Sequence, residues 1–127
     1  MIEALFNQPT YLAAKKSLDA TVLRQEAIAS NLANLETPNY RRIDVAPSFQ
    51  AQLGQALAAQ DPALISRMTP QLQADTTAAA QNRDGNTVQL ENELMQLGKN
   101  AIAHTLETQL VTGTLLRLRL AITGRPV

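Results

Sequence analysis

The chain has 127 residues, enough for one domain and too few for two. Eleven Lys and Arg balance eleven Asp and Glu, which excludes the clustered positive charge of a nucleic-acid binder or a polybasic membrane-surface protein. With no Cys and one His, disulfides, thiol nucleophiles and multi-histidine metal sites are excluded too, and no cofactor is expected.

The apolar content is ordinary but its make-up is not: 20 Ala and 19 Leu stand against 2 Phe, 2 Tyr and no Trp. Ala, Leu and Gln favour helix, and so few aromatics leave little bulk for a thick core. The expected fold is all-α. Two long terminal helices pair as a coiled coil, and an irregular or extended middle segment between them holds one short helix. The boundaries fall at 1–36, 37–86 and 87–127, the two outer segments forming one domain.

Ile2, Leu5 and Phe6 precede a break at Asn7-Gln8-Pro9, and Pro9 suits a helix start. From there a stripe runs through Tyr11, Ala14, Leu18, Thr21, Gln25, Ile28, Leu32 and Leu35 in alternating steps of three and four, the period of a coiled-coil seam. Thr37-Pro38 ends this helix, predicted over about 10–36, because the residue before Pro avoids helical geometry. Pro38 and Asn39 then suit the two central positions of a type II turn, Asn39 taking the positive φ, and Tyr40 brings its ring against a neighbouring helix.

The middle segment holds four of the six prolines. Phe49, Leu53 and Leu57 predict a short helix over about 48–60, broken by Asp61-Pro62. Residues 66–86 read as loop or extended chain, and Asp84-Gly85-Asn86 as a turn. The last helix is predicted over about 87–123. Its seam is Leu90, Leu94, Leu97, Ala101, His104, Thr108, Val111, Leu115, Leu118 and Ile122, with Asn86 or Thr87 as cap and Gly124 as stop. The two seams are expected to face each other. Leu12, Leu23, Leu106, Leu116 and Leu120 fall off them, so helices from other chains are expected to cover these leucines.

Catalytic chemistry is hard to place. His104 reads as a packed or interface residue. Glu91 and Glu93 stand two apart and diverge on a helix, so they read as dipole complements on a solvated face. Arg41-Arg42 reads as a solvated turn flank. Asp84-Gly85-Asn86 resembles a piece of a calcium loop but lacks its remaining oxygen ligands. An enzyme is not expected.

Two stretches are more particular. Ala29-Ser30-Asn31-Leu32-Ala33-Asn34-Leu35-Glu36-Thr37-Pro38-Asn39-Tyr40-Arg41 resembles the N-terminal signature of the bacterial flagellar rod and hook proteins, with Asn39 where Gly is usual. Asp84-Gly85-Asn86-Thr87-Val88-Gln89-Leu90-Glu91-Asn92-Glu93-Leu94 resembles the entry to the last helix in the proximal rod proteins. The matching residues are Asn31, Asn34, Thr37, Pro38 and Tyr40 with Asp84, Gly85, Asn86, Val88 and Glu91.

The resemblance implies a structural subunit of the basal-body rod, part of the axial drive shaft and export channel in the periplasm. It implies stacking against copies of itself, other rod proteins and the adapter that joins the rod to the MS ring. It further implies passage through the flagellar type III export apparatus without a cleaved signal. The first 20 residues carry no signal-like pattern, and no apolar run is long enough to cross a membrane. Phe49 and Leu53 match the spacing of an export-gate element in that class, although packing of Phe49 on the next helical turn explains them equally. The assembly core expected on this reading is Leu18, Ile28, Leu32 and Leu35 with Leu90, Leu94, Leu97, Val111, Leu115, Leu118 and Ile122. The competing reading is a cytoplasmic helical adaptor or flagellar export chaperone that holds a helix in a groove.

Overall fold

The computed structural model describes residues 2–125; Met1, Pro126 and Val127, at the ends of the two outer predicted segments, lie outside the described residues. A short helix α1 (Ile2–Phe6) leads into α2 (Pro9–Ala33), with Pro9 in the first turn as expected. Strand β1 (Ile43–Val45) follows, then α3 (Pro47–Ala58), α4 (Pro62–Arg67), strand β2 (Leu72–Ala74) and finally α5 (Leu90–Thr123). The two long helices make the largest contact in the chain. They run antiparallel, with Asn31 beside Glu93 and Thr21 beside Asn100.

The middle segment holds more than the one short helix expected. Asp61 and Pro62 do break α3, but they also start α4: the Asp61 carboxylate accepts from the Leu64 N–H at 3.0 Å, an N-cap. Within the stretch read as loop, β2 pairs antiparallel with β1, with Ile43 opposite Ala74 and Val45 opposite Leu72. The ribbon is extended by Ala46 N–H to Gln71 O and Asp75 N–H to Arg42 O, both 2.8 Å.

The apolar core does not lie between the two long helices. It lies between α2 and the middle segment, where Ala13 and Ala20 meet Val45, Phe49, Leu53, Ala56 and Ile65. The small alanines let α3 and α4 approach α2 closely. Leu12 and Leu23, expected to await another chain, are half-buried against this cluster instead. Phe49 and Leu53 are core residues of the folded chain.

The seam of α5 is rotated from the expected one. The side chains of α5 that are buried or half-buried include Glu93, Leu97, Asn100, Ala103, Glu107, Val111, Thr114 and Leu118, with Glu93, Asn100 and Glu107 against α2. Leu97, Val111 and Leu118 belong to both the expected and the observed stripe. Leu90, Leu94, Leu115 and Ile122, predicted seam residues, are exposed in the chain, as are His104 and Thr108. On α2, Tyr11, Ala14, Thr21 and Ile28 are buried, Leu18 and Leu32 half-buried, and Gln25 exposed, while Leu35 is half-buried just beyond the helix end. The rotation follows from polar pairing, since Glu93 and Asn100 have specific partners at the α2 interface and a leucine there would leave those partners unpaired.

Candidate functional site

The turn that follows α2 has carbonyl groups of its own to satisfy, and the sequence does this from about 50 residues away. The Asn86 amide nitrogen lies 2.8, 3.1 and 2.8 Å from the carbonyl oxygens of Asn34, Leu35 and Thr37. Its own Oδ1 accepts from Val88 N–H at 2.7 Å, while Asp84 Oδ1 accepts from Asn86 N–H at 3.1 Å. Thr87 continues the tie: its N–H donates to Tyr40 O at 3.1 Å and its hydroxyl accepts from Arg42 N–H at 2.8 Å. Residues 86–88 are therefore buried and engaged outside α5, which explains why α5 starts at Leu90, three residues after the predicted start. Gln89 is its N-cap and makes no side-chain cap bond.

The turn has the expected backbone. Tyr40 N–H donates to Thr37 O at 3.3 Å, and Asn39 has φ 59°. Asn39 N–H in turn donates to Asp84 O at 2.8 Å. Gly85 has φ 75°, and a Cβ there would come within 2.5 Å of Asn39 Oδ1, so glycine is required for the approach as well as for the angle. The Tyr40 hydroxyl packs back on its own α2, 3.0 Å from Ser30 Oγ and 3.4 Å from Asn31 Oδ1.

Below this turn sits a buried ionic cluster that the sequence reading missed. Arg42 is buried, not a solvated flank, and Glu93 has no exposed surface, so it is not on a solvated face. The Arg42 guanidinium pairs through Nε with Glu93, and through Nη1 with Asp44 at 3.1 Å and Asp75 at 2.9 Å. Arg24 holds the other side of Asp44 at 3.0 Å. Asn31, fully buried, donates to Glu93 at 3.2 Å and to Ile43 O at 2.9 Å, and accepts from Ile43 N–H at 3.0 Å. Burial pulls the Arg42 pKa down, but the bonds and charges of Glu93 and Asp44 outweigh it and hold the pKa above the ordinary value. Asp75 is held below the usual carboxylate range, first by the Thr77 hydroxyl and also by Arg42. The signal available in sequence was the spacing Arg42–Asp44 on a strand, which puts both side chains on one face.

Residues 31–42 and 84–93, which overlap the two signature stretches, thus form one clasp joining α2, β1 and α5. Asn31, Asn34, Tyr40, Asp84, Gly85, Asn86 and Val88 all belong to it; Thr37 contributes its carbonyl, and its hydroxyl donates to Asn34 Oδ1 at 3.0 Å. Pro38 and Glu91 are exposed. Nothing here resembles a catalytic arrangement. Among the described residues no group of three His, Asp or Glu stands together as a metal site, and no helix is long and apolar enough to cross a membrane.

Above the clasp, α5 carries a set of large apolar side chains that the chain leaves uncovered. Leu94, Met95, Ile102, Leu106, Leu110, Leu116 and Leu120 are 43–65% exposed. Soluble monomers rarely present a band of this kind without a partner for it.

A family model described as flagella basal body rod protein matches residues 14–41, the second half of which is the α2 end of the clasp. The chain is 29% identical over 115 residues to the flagellar basal body rod protein FlgB of Borrelia hermsii, covering 76% of this chain and 83% of that one. It is 28% identical to FlgB of Escherichia coli K12, covering 78% and 82%, and 28% identical to FlgB of Aquifex aeolicus, covering 87% and 90%. The chain is thus similar over most of its length to flagellar basal-body rod proteins of the FlgB type. The clasp is where the residues matched by the rod-protein model meet the start of α5.

Proposed function

We propose that this chain is a subunit of the proximal rod, in the periplasmic part of the flagellar basal body. Its α2–α5 pair forms part of the wall of the axial drive shaft and export channel. Copies of the chain, other rod proteins and the adapter to the MS ring pack around that pair. The observation that carries this reading is the uncovered apolar surface of α5. The chain exposes 8363 Å², against about 6,600 Å² for a compact monomer of its mass. Each half-exposed leucine covered by a neighbour contributes about 1 kcal/mol, so a stack of such helices stabilises what one chain leaves in water.

Residues expected to act in assembly, Leu90, Leu94, Leu115 and Ile122 among them, are available for that contact. Leu18, Ile28, Leu32, Leu35, Leu97, Val111 and Leu118 support the α2–α5 pair. Delivery is by the flagellar type III route. Phe49 and Leu53, buried once folded, are readable by an export gate only in the unfolded subunit.

The test is purification of basal bodies from cells in which an epitope-tagged copy replaces the chromosomal gene. Tagged chain in the rod fraction, with motility restored, supports the reading. A compact, monodisperse chain confined to the cytoplasm overturns it in favour of an adaptor or chaperone.

A further inference from the structure

Two apolar surfaces lie on different sides of α5. One is a ridge of Met95, Lys99, Ile102 and Leu106, exposed and pointing away from α2. The other is a groove of about 480 Å³ between α2 and α5, lined by Thr21, Val22, Gln25, Glu26, Asn100, Ala101, His104 and Thr105. At 100° per residue, Ala101 in the groove and Leu106 on the ridge are about 140° apart around the helix.

The groove and the ridge also complement each other in charge. Lys99 is the one cation on the ridge, between exposed Met95 and Ile102. Glu26 is the carboxylate of the groove, and among the described residues neither Lys99 nor Glu26 forms an ion pair within the chain. Asn100, 3% exposed, donates to Thr21 O at 2.8 Å and to Gln25 Oε1 at 3.3 Å. Its Oδ1 is the one buried side-chain polar atom among the described residues with no partner. A buried acceptor left in this way costs free energy until a donor reaches it.

Resting on the rod reading, we propose that the occupant of this groove is the α5 ridge of a second copy of this chain. The incoming Lys99 ammonium donates to Glu26 on the rim and to Asn100 Oδ1 behind it, while Met95, Ile102 and Leu106 cover Val22 and Ala101. Because ridge and groove are different surfaces of one chain, the contact is head-to-tail: each copy offers its own groove to the next. Such a contact propagates instead of closing as a two-fold dimer. A two-fold pairing of ridges would leave every groove, and every Asn100 acceptor, uncovered.

The absence of native cysteine makes this testable in intact basal bodies. Two differently tagged copies are co-expressed, one carrying Glu26→Cys and the other Lys99→Cys, and purified basal bodies are treated with a short bis-maleimide. The expected product is a covalent dimer carrying both tags. Charge reversal supplies a second arm: Lys99→Glu and Glu26→Lys each cause loss of motility, and the double variant recovers it. Both tagged copies present in basal bodies with no mixed dimer overturns this inference while the rod reading stands. Cross-linking of position 26 to a different protein, or a double variant that stays non-motile, overturns it as well. Absence of the wild-type tagged chain from basal bodies overturns the rod reading and this inference together.

Discussion

Asn39 and Gly85 meet across the clasp, both at positive φ, with the Asn39 side chain filling the space a Cβ on Gly85 would need. Gly85→Ala therefore meets both a left-handed angle and a clash, and is expected to cost about 1–3 kcal/mol in urea unfolding. Asn39→Gly is expected to be tolerated and to relieve part of the Gly85→Ala cost, because it removes the clashing oxygen. Asn39→Val is expected to be harmful, since a β-branched residue resists positive φ. A double-mutant cycle with no coupling between positions 39 and 85 contradicts the contact. Arg42 is the second residue on which the clasp depends. Arg42→Ala leaves Glu93 buried and unpaired, which is expected to destabilise the chain by about 3–5 kcal/mol; a melting temperature unchanged from wild type shows that the cluster does not hold the fold. Asp75 belongs to the same cluster and is held low in the folded chain. It contributes stability above the ordinary carboxylate range and loses it as pH falls through its lowered pKa. Asp75→Asn is expected to flatten the acid side of the stability profile.

At the level of elements, α5 is held unevenly. Its first turns are fixed by Glu93 and Asn100, both buried, whereas Ala103, Glu107, Val111 and Thr114 further along are only half-buried. Glu107 illustrates this: half-buried beside Thr10, Ala13, Ala14 and Leu53, its carboxyl is pushed up by desolvation. A raised carboxyl pKa means the folded state binds the proton more tightly. Stability from this group therefore falls as pH rises from the ordinary carboxylate range through the raised value. Glu107→Gln is expected to raise the melting temperature at neutral pH, and the gain should shrink towards acid. A gain that is constant from pH 3 to pH 8 refutes desolvation as the cause. Hydrogen exchange in the isolated chain is expected to be slowest in α5 around Glu93–Asn100 and fastest beyond Thr114, since protection follows local burial.

For the whole molecule, interior and exterior apolar groups have different jobs. The core between α2 and the middle segment folds the chain, and the leucines on the outside of α5 do not. Leu106→Asp and Leu116→Asp are therefore expected to leave the thermal melt of the isolated chain within about 0.5 kcal/mol of wild type, as surface substitutions do. Each is nevertheless expected to abolish motility by placing an unpaired charge in a contact between subunits. Normal motility in both variants contradicts the assembly role of this surface.

Period and punctuation determined the two long helices, the Pro9 start, the turn at Asn39 and the Gly124 stop, because each depends on local backbone preference. The signature stretches pointed to a rod protein for the same reason: they encode one turn and one helix entry in contiguous residues. Tertiary structure alone decided which side of α5 faces α2. Heptad spacing marks apolar positions without saying whether the chain or a neighbour covers them, and the long-range partners of Glu93 and Asn100 rotated the helix towards its polar side. It also decided that Arg42 is buried, that Asn86 ties down the turn about 50 residues earlier, and that residues 72–74 form a strand. Such contacts join residues distant in sequence, and their free energy exists only when both partners are in place.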